Sequence, residues 1–242
     1  MMYNRFMRLD KLLANSGYGT RSKVRDLISS GAVTVNGEHI KDPGYRIESS
    51  DQVAINGTEF DGSEHIYLVF DKPDEVLTAM EDKRYKCVGD YIPSELKGKH
   101  LSPVGRLDYH TTGLLIITND GALNHKLTSP RYKIPKTYAV TYQGDPLTDD
   151  IAEELSCGIT LRDTGECVRL APCILKNTGN TKCTLTLTEG KTHEVRRIIS
   201  HYGRQVISLR RISIAELRLD DENPGMLRRM TAAELQLLSD RL

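Results

Sequence analysis

Residues 104–123 read VGRLDYHTTGLLIITNDGAL. The apolar, β-branched run from Leu114, set between Gly113 and the Asn119-Asp120-Gly121 turn, reads as a buried strand over 113–118. Just ahead of it a polar turn carries one carboxylate, Asp108, between Arg106 and a Thr-Thr-Gly step. On that side of the strand no second acid accompanies it. A rigid strand that begins at once fixes the backbone that presents Asp108. A single fixed carboxylate can serve as a nucleophile or a base, whereas the acid pair of a glycosidase has no local support.

Around this strand, residues 66–70, 136–142, 167–175 and 182–188 also read as strands, and Lys176–Thr181, with Gly179-Asn180, as the loop between the last two. Residues 74–102 are irregular. Thr148 is expected to cap a helix whose first turn holds Asp149 and Asp150, where carboxylates suit the helix dipole, with Gly158 closing it. Thr192 is expected to cap another, burying Val195, Ile198, Ile199 and Tyr202 and ending at Gly203. His193, Arg196, Arg197 and Ser200 share its polar face. Thr231 and Glu234 have the spacing of a capping box before a last helix. The pattern predicts an α+β domain with a mixed, mostly antiparallel sheet.

Residues 7–60 form a smaller pattern. Leu9, Leu12 and Leu13 suggest a short helix ending near Gly17. Thr20 then caps a second, with Val24, Leu27 and Ile28 on one face, Arg21, Lys23 and Arg25 on the other, and Gly31 past its end. AVTVNGEHI and VAINGTEF each place Asn-Gly between alternating residues, a two-residue hairpin signal. Polar residues 61–65 read as a linker, giving a small helical and β domain over 1–62 and a larger domain over 63–242.

The 242 residues are 38% hydrophobic and 27% charged, with zero net charge. No run approaches membrane-spanning length, and the amino terminus lacks a signal-peptide core; a cytoplasmic, membrane-free protein is expected. Five cysteines without a CxxC pair offer no zinc spacing, and no metal is expected. The charge is segregated. Arg5, Arg8, Lys11, Arg21, Lys23 and Arg25 face Asp10 alone within 1–25. Lys126, Arg131, Lys133 and Lys136 cluster without an acid. Lys191, Arg196, Arg197, Arg204, Arg210 and Arg211 face Glu194. Three such patches point to a polyanion such as RNA.

The stretch RLDKLLANSGYGTRSKVRDLISSGAVTVNGEHIKDPGYRIESSDQVAING resembles the S-four RNA-binding domain. That resemblance implies RNA contacts by Arg8, Arg21, Ser22, Lys23 and Arg25. VGRLDxxTTGLLIITNDG, SPRYxxxKTYxV and LxEGKxHEVRRI, in that order, resemble the pseudouridine synthases of the small-subunit rRNA type, over nearly the whole chain. The resemblance implies isomerisation of a uridine in RNA without cofactor or metal. It makes Asp108 the catalytic carboxylate acting on the ribose, places Tyr138 against the uracil, and pairs Arg196 with Asp108. Arg106, Arg131 and Lys136 are expected at RNA, the last two as phosphate contacts or structural ion pairs. Glu194 departs from the glutamine common in the family, and is expected either to compete for Arg196 or to face solvent. His193 is assigned no chemistry.

The expected substrate is 16S rRNA in a small-subunit assembly intermediate, a choice that rests on the short carboxy-terminal helix without a basic tail, and the expected state is a monomer. Alternatives are a 23S enzyme of the same family, a non-catalytic ribosome-assembly clamp, and a nucleoside hydrolase pairing Asp108 with an acid from 145–166.

Overall fold

The computed structural model describes residues 7–16, 18–48, 50–60, 65–163, 166–219 and 223–239. Gly17 and most of the expected linker, 61–64, lie outside the described residues. The chain divides into two compact units. One gathers Met1–Tyr67, Pro93–Ser102 and Thr118–Leu123; the other gathers Leu68–Ile92, Pro103–Ile117 and Asn124–Leu242.

In the first unit, α1 (Leu9–Asn15) precedes α2 (Arg21–Ser29), and the Thr20 hydroxyl accepts the Lys23 N–H at 3.3 Å as the expected cap. A four-stranded sheet comes next, built from β1 (Val33–Val35), β2 (Glu38–Ile40), β3 (Val53–Ile55) and β4 (Thr58–Glu59) in the order β2-β1-β3-β4, while Arg46–Ile47 pairs separately with Met7–Arg8. Both Asn-Gly pairs turn with positive φ at both residues, 52° and 86° at Asn36-Gly37 and 50° and 77° at Asn56-Gly57. That is the turn whose twist matches two antiparallel strands. Leu9, Leu13, Val24, Ile28, Val33 and Val53 pack into one core.

The larger pattern is built from β5 (Tyr67–Lys72), β6 (Thr112–Thr118), α3 (Gly121–Thr128), β7 (Lys136–Gln143) and α4 (Asp149–Ser156). The hairpin β8 (Thr160–Asp163) and β9 (Glu166–Arg169), then β10 (Ile174–Gly179) and β11 (Lys182–Leu187), come after α4. Last are α5 (Glu194–His201), β12 (Gln205–Ile214), β13 (Leu227–Arg229) and α6 (Ala232–Ser239). The main sheet runs β10-β11-β7-β12-β6-β5-β13. β12 lies parallel to β6, while β10, β11, β7 and β12 pair successively antiparallel, as do β5 and β13. The class is therefore α+β with a mixed, mostly antiparallel sheet. Val140, Leu155, Leu185, Val195, Ile198 and Leu209 belong to the core beneath α5.

Several local expectations change. Residues 167–175 are not one strand: β9 ends at Arg169 to pair with β8, and the chain crosses Pro172 before β10 begins. β10 continues to Gly179, so its turn to β11 is shorter than 176–181. Thr148 precedes α4, but its side chain makes no cap bond. α5 is preceded by His193, not Thr192, as its N-cap, with φ of 51°. β12, the longest strand, is absent from the expectations. It takes Arg210 and Arg211 out of the surface charge: Arg211 is buried, and Arg210 holds Asp71 through two 2.8 Å bonds.

Candidate active site

The turn before β6 is held carbonyl by carbonyl. The Leu107 carbonyl accepts from the Thr78 hydroxyl at 2.7 Å, and Thr78 accepts the Leu107 N–H in return. The Asp108 carbonyl accepts the Thr111 N–H at 3.0 Å. Lys72, at the end of β5, donates to the carbonyls of Pro73, Tyr109 and Thr111 at 3.0, 3.2 and 2.8 Å. Arg196 of α5 donates to the carbonyl of His110 at 2.8 Å. An ammonium has three donors, so Lys72 is fully engaged although wholly buried. Burial brings its amine down to about 8, against the opposing pull of Asp74 and Asp108. At the far side of the turn Gly113 adopts φ of 98°, and a Cβ there would lie 2.3 Å from the Arg211 carbonyl. Only glycine permits this close approach of β6 to β12.

Pinned in this way, the turn points Asp108 into a cavity of about 260 Å³. Tyr138 of β7, the apolar Leu187 and Leu209, and the Gly190–Glu194 turn line it, with Arg106 and Thr111. The Asp108 side chain keeps 38% of its surface exposed. The Thr111 hydroxyl is buried with no partner among the described residues. Among the described residues no group of three His, Cys, Asp or Glu side chains is arranged to hold a metal ion. Cys87, Cys173 and Cys183 are buried thiols, whereas Cys157 and Cys167 are exposed.

The cavity brings Asp108 and Tyr138 together as expected, but not Arg196. The side chain facing the carboxylate is His193, whose Nε2 lies 3.6 Å from Asp108 Oδ1, an ion pair when the imidazole is protonated. Arg196 is committed to the backbone of the same turn and acts on the shape of the loop, not on the carboxyl group. Lys136 is half-buried, with its ammonium on the Ile134 carbonyl at 3.2 Å, and burial lowers it to about 8. That bond ties its ammonium to the backbone just ahead of β7. Glu194 neither competes for Arg196 nor faces solvent. It is 4% exposed, and its Oε2 accepts the Lys191 N–H at 2.8 Å.

Residues 66–201 match the family of RNA pseudouridylate synthases, and residues 7–53 match the S4 domain. The chain belongs to the RNA pseudouridylate synthase family. It is 36% identical to the ribosomal small subunit pseudouridine synthase A of Vibrio cholerae, over 95% of this chain and 98% of that one. It is 35% identical to the ribosomal large subunit pseudouridine synthase B of Bacillus subtilis, over 96% and 95%. A crystal structure of a pseudouridylate synthase superposes with a TM-score of 0.70 at 32% identity, covering 96% of this chain and 99% of that one.

Pseudouridine synthases are isomerases, and this synthase carries an S4 domain for RNA. On α2, Arg21, Ser22, Lys23 and Arg25 are all exposed. Arg8 and Arg25 converge on the buried Asp10, at 2.8 and 3.4 Å, which fixes both guanidinium groups while leaving over half of each side chain exposed. The Arg8 guanidinium holds the Asp10 carboxyl below the ordinary range. Arg106 and Arg131 are exposed as well. Two residues that the sequence reading leaves out, and one that it names without a role, enter through partners distant along the chain: Lys72 through Thr111, Thr78 through Leu107, and His193 through Asp108. Of these, only Lys72 has a local hint, the Lys-Pro pair after an apolar strand.

Proposed function

We propose that the synthase converts a uridine of 16S rRNA to pseudouridine, with Asp108 as the catalytic carboxylate. The observation that carries this reading is the combination of one half-exposed carboxylate, a backbone pinned at five successive carbonyls, and a tyrosine ring in the same cavity. The isomerisation breaks the bond from N1 to C1′, turns the uracil and joins C5 to the same C1′; the C5 proton leaves and N1 takes up a proton, so the composition is unchanged. The Asp108 oxygen acts at the ribose, either by attack on C1′, from which C5 then displaces it, or by removal of the C2′ proton, which returns to C2′ as C5 bonds to C1′. Tyr138 supplies a flat apolar surface on which a flipped uracil is held while it rotates in its plane. Preset geometry of this kind lowers the barrier because no reorganisation is needed during the reaction.

Residues 1–62 serve as the RNA-binding domain and 63–242 as the catalytic domain. Arg8, Arg21, Ser22, Lys23, Arg25, Arg106 and Arg131 contact RNA. The protein acts as a cytoplasmic monomer on a small-subunit assembly intermediate in which the uridine is still reachable. The match to the small-subunit enzyme of Vibrio cholerae along 98% of its length supports 16S rRNA. The similar identity to the large-subunit enzyme of Bacillus subtilis favours 23S rRNA as the second reading. Pseudouridine mapping of 16S and 23S rRNA in cells lacking the protein decides between them. The expected result is one lost site, in 16S rRNA, restored by the wild type and not by Asp108→Asn. A lost site in 23S rRNA supports the second reading, and no lost site overturns both.

A further inference from the structure

We propose that Glu194, as a neutral carboxylic acid, is a positioning residue: it bonds to the carboxylate of Glu189 and so holds the Glu189–His193 turn that sets His193 against Asp108. The proposal rests on Asp108 being the catalytic carboxylate. Glu189 is already committed as an anion. Its Oε1 accepts the Ala171 N–H at 2.6 Å, and its Oε2 pairs with Lys191 Nζ at 2.9 Å. Lys191 Nζ also donates to the Arg169 carbonyl, so the turn is tied to the end of β9. Lys191 brings the two carboxyl groups together, its N–H on Glu194 and its ammonium on Glu189. Two carboxylates have no proton to share. Glu194 Oε2 is taken by the Lys191 N–H, and its Oε1 is buried without a donor. A proton on Glu194 resolves both facts at once, because it supplies the hydrogen bond and removes a second buried charge.

The surroundings agree. Burial pushes the Glu194 carboxyl up to about 7; the Lys191 N–H opposes that, and the Glu189 charge reinforces it. Lys136 of β7 feels Glu194, but it is itself driven toward neutrality by burial and by Arg211. Cys173, before β10, has its thiol raised to about 11 by burial and by both glutamates, and carries no charge. The first turn of α5 favours an anion at position 194, a smaller effect than burial here. Next to this pair, His193 sits at φ of 51°, a conformation that a non-glycine residue keeps only when its neighbours hold it.

The test is the rate of pseudouridine formation under kcat/KM conditions between pH 6 and pH 8, on rRNA from cells lacking the protein. For the wild type the rate is expected to fall about tenfold between these limits, as a group titrating at about 7 loses its proton. Glu194→Gln keeps a donor and carries no charge, so it is expected to lose no more than about twofold over the same range. His193→Gln is expected to retain the wild-type fall. A tenfold fall that persists in Glu194→Gln, or vanishes in His193→Gln alone, overturns the proposal. Infrared difference spectra give a readout independent of turnover: a buried protonated carboxyl present at pH 6, lost at pH 8 and missing in Glu194→Gln. Absence of that band in the wild type at pH 6 also overturns it. If the wild type forms no pseudouridine on any rRNA while the band behaves as stated, the failure belongs to the proposed function and not to the Glu194–Glu189 pair.

Discussion

Among single residues, one buried ammonium pins two of the five held carbonyls in the turn that carries Asp108. Lys72 costs desolvation energy where it lies, and three carbonyl partners offset that cost. Lys72→Met keeps the length of the stem and removes every donor, leaving the Tyr109 and Thr111 carbonyls unpaired. The rate of pseudouridine formation is expected to fall about 100-fold, because a catalytic group displaced by roughly 1 Å loses about that much. RNA affinity is expected to stay within about threefold, and thermal stability to fall by ~2 kcal/mol. Single-turnover kinetics, filter binding and calorimetry on one preparation check the three parts together. An equal loss of affinity and rate would place Lys72 at the RNA and not beneath the turn.

For helices and strands, short-range chemistry predicts well and long-range pairing does not. The capping box of α6 is present as spaced: the Thr231 hydroxyl accepts the Glu234 N–H at 3.2 Å, and Glu234 accepts the Thr231 N–H at 2.8 Å. Arg228 of β13 binds the same carboxylate and, with Thr231, holds it down at about 2. A lowered carboxyl stabilises the fold fully above its ordinary value of 4.5 and loses that contribution as pH falls through about 2. Glu234→Gln is therefore expected to cost ~1 kcal/mol at neutral pH and to flatten the decline of stability between pH 4.5 and 2, as measured by denaturant unfolding across that range. An unchanged acid limb would show that Glu234 does not anchor α6.

The Asn-Gly hairpins, the Thr20 cap and the buried run before Asn119 are legible in the sequence for the same reason, since each depends on residues a few positions apart. β12 is not. Its Ser208, Arg210 and Arg211 look like a solvated patch until Asp71, 139 positions away, and the Leu114 carbonyl take the two guanidinium groups. The site divides along the same line. Asp108 and Tyr138 are legible from their motifs. The exchange of Arg196 for His193 opposite Asp108 depends on where α5 starts, and the left-handed residue that starts it has no local signature.

Across the whole molecule, zero net charge coexists with RNA binding because the cations lie in patches. On α2, Arg21 and Lys23 are exposed, and neither joins an ion pair among the described residues. The double variant Arg21→Gln/Lys23→Gln is expected to reduce the slope of log Kobs against log salt by about 1.5, and to weaken binding to different RNA sequences about equally. Fluorescence titration from about 50 to about 300 mM salt measures the slope. A loss confined to one RNA sequence would instead mean base readout by α2.

The proposed chemistry assigns the reaction to a single carboxylate, aimed by its pinned backbone, while other residues bind the RNA. Single-turnover pseudouridine formation by Asp108→Asn on unmodified rRNA, with the Kd of the same complex determined in parallel, separates those two roles. The substitution preserves the shape of the side chain and removes its charge. A rate at least about 1,000-fold below wild type with Kd within about threefold is predicted. Turnover within about tenfold of wild type would mean that Asp108 is not the group that acts on the ribose.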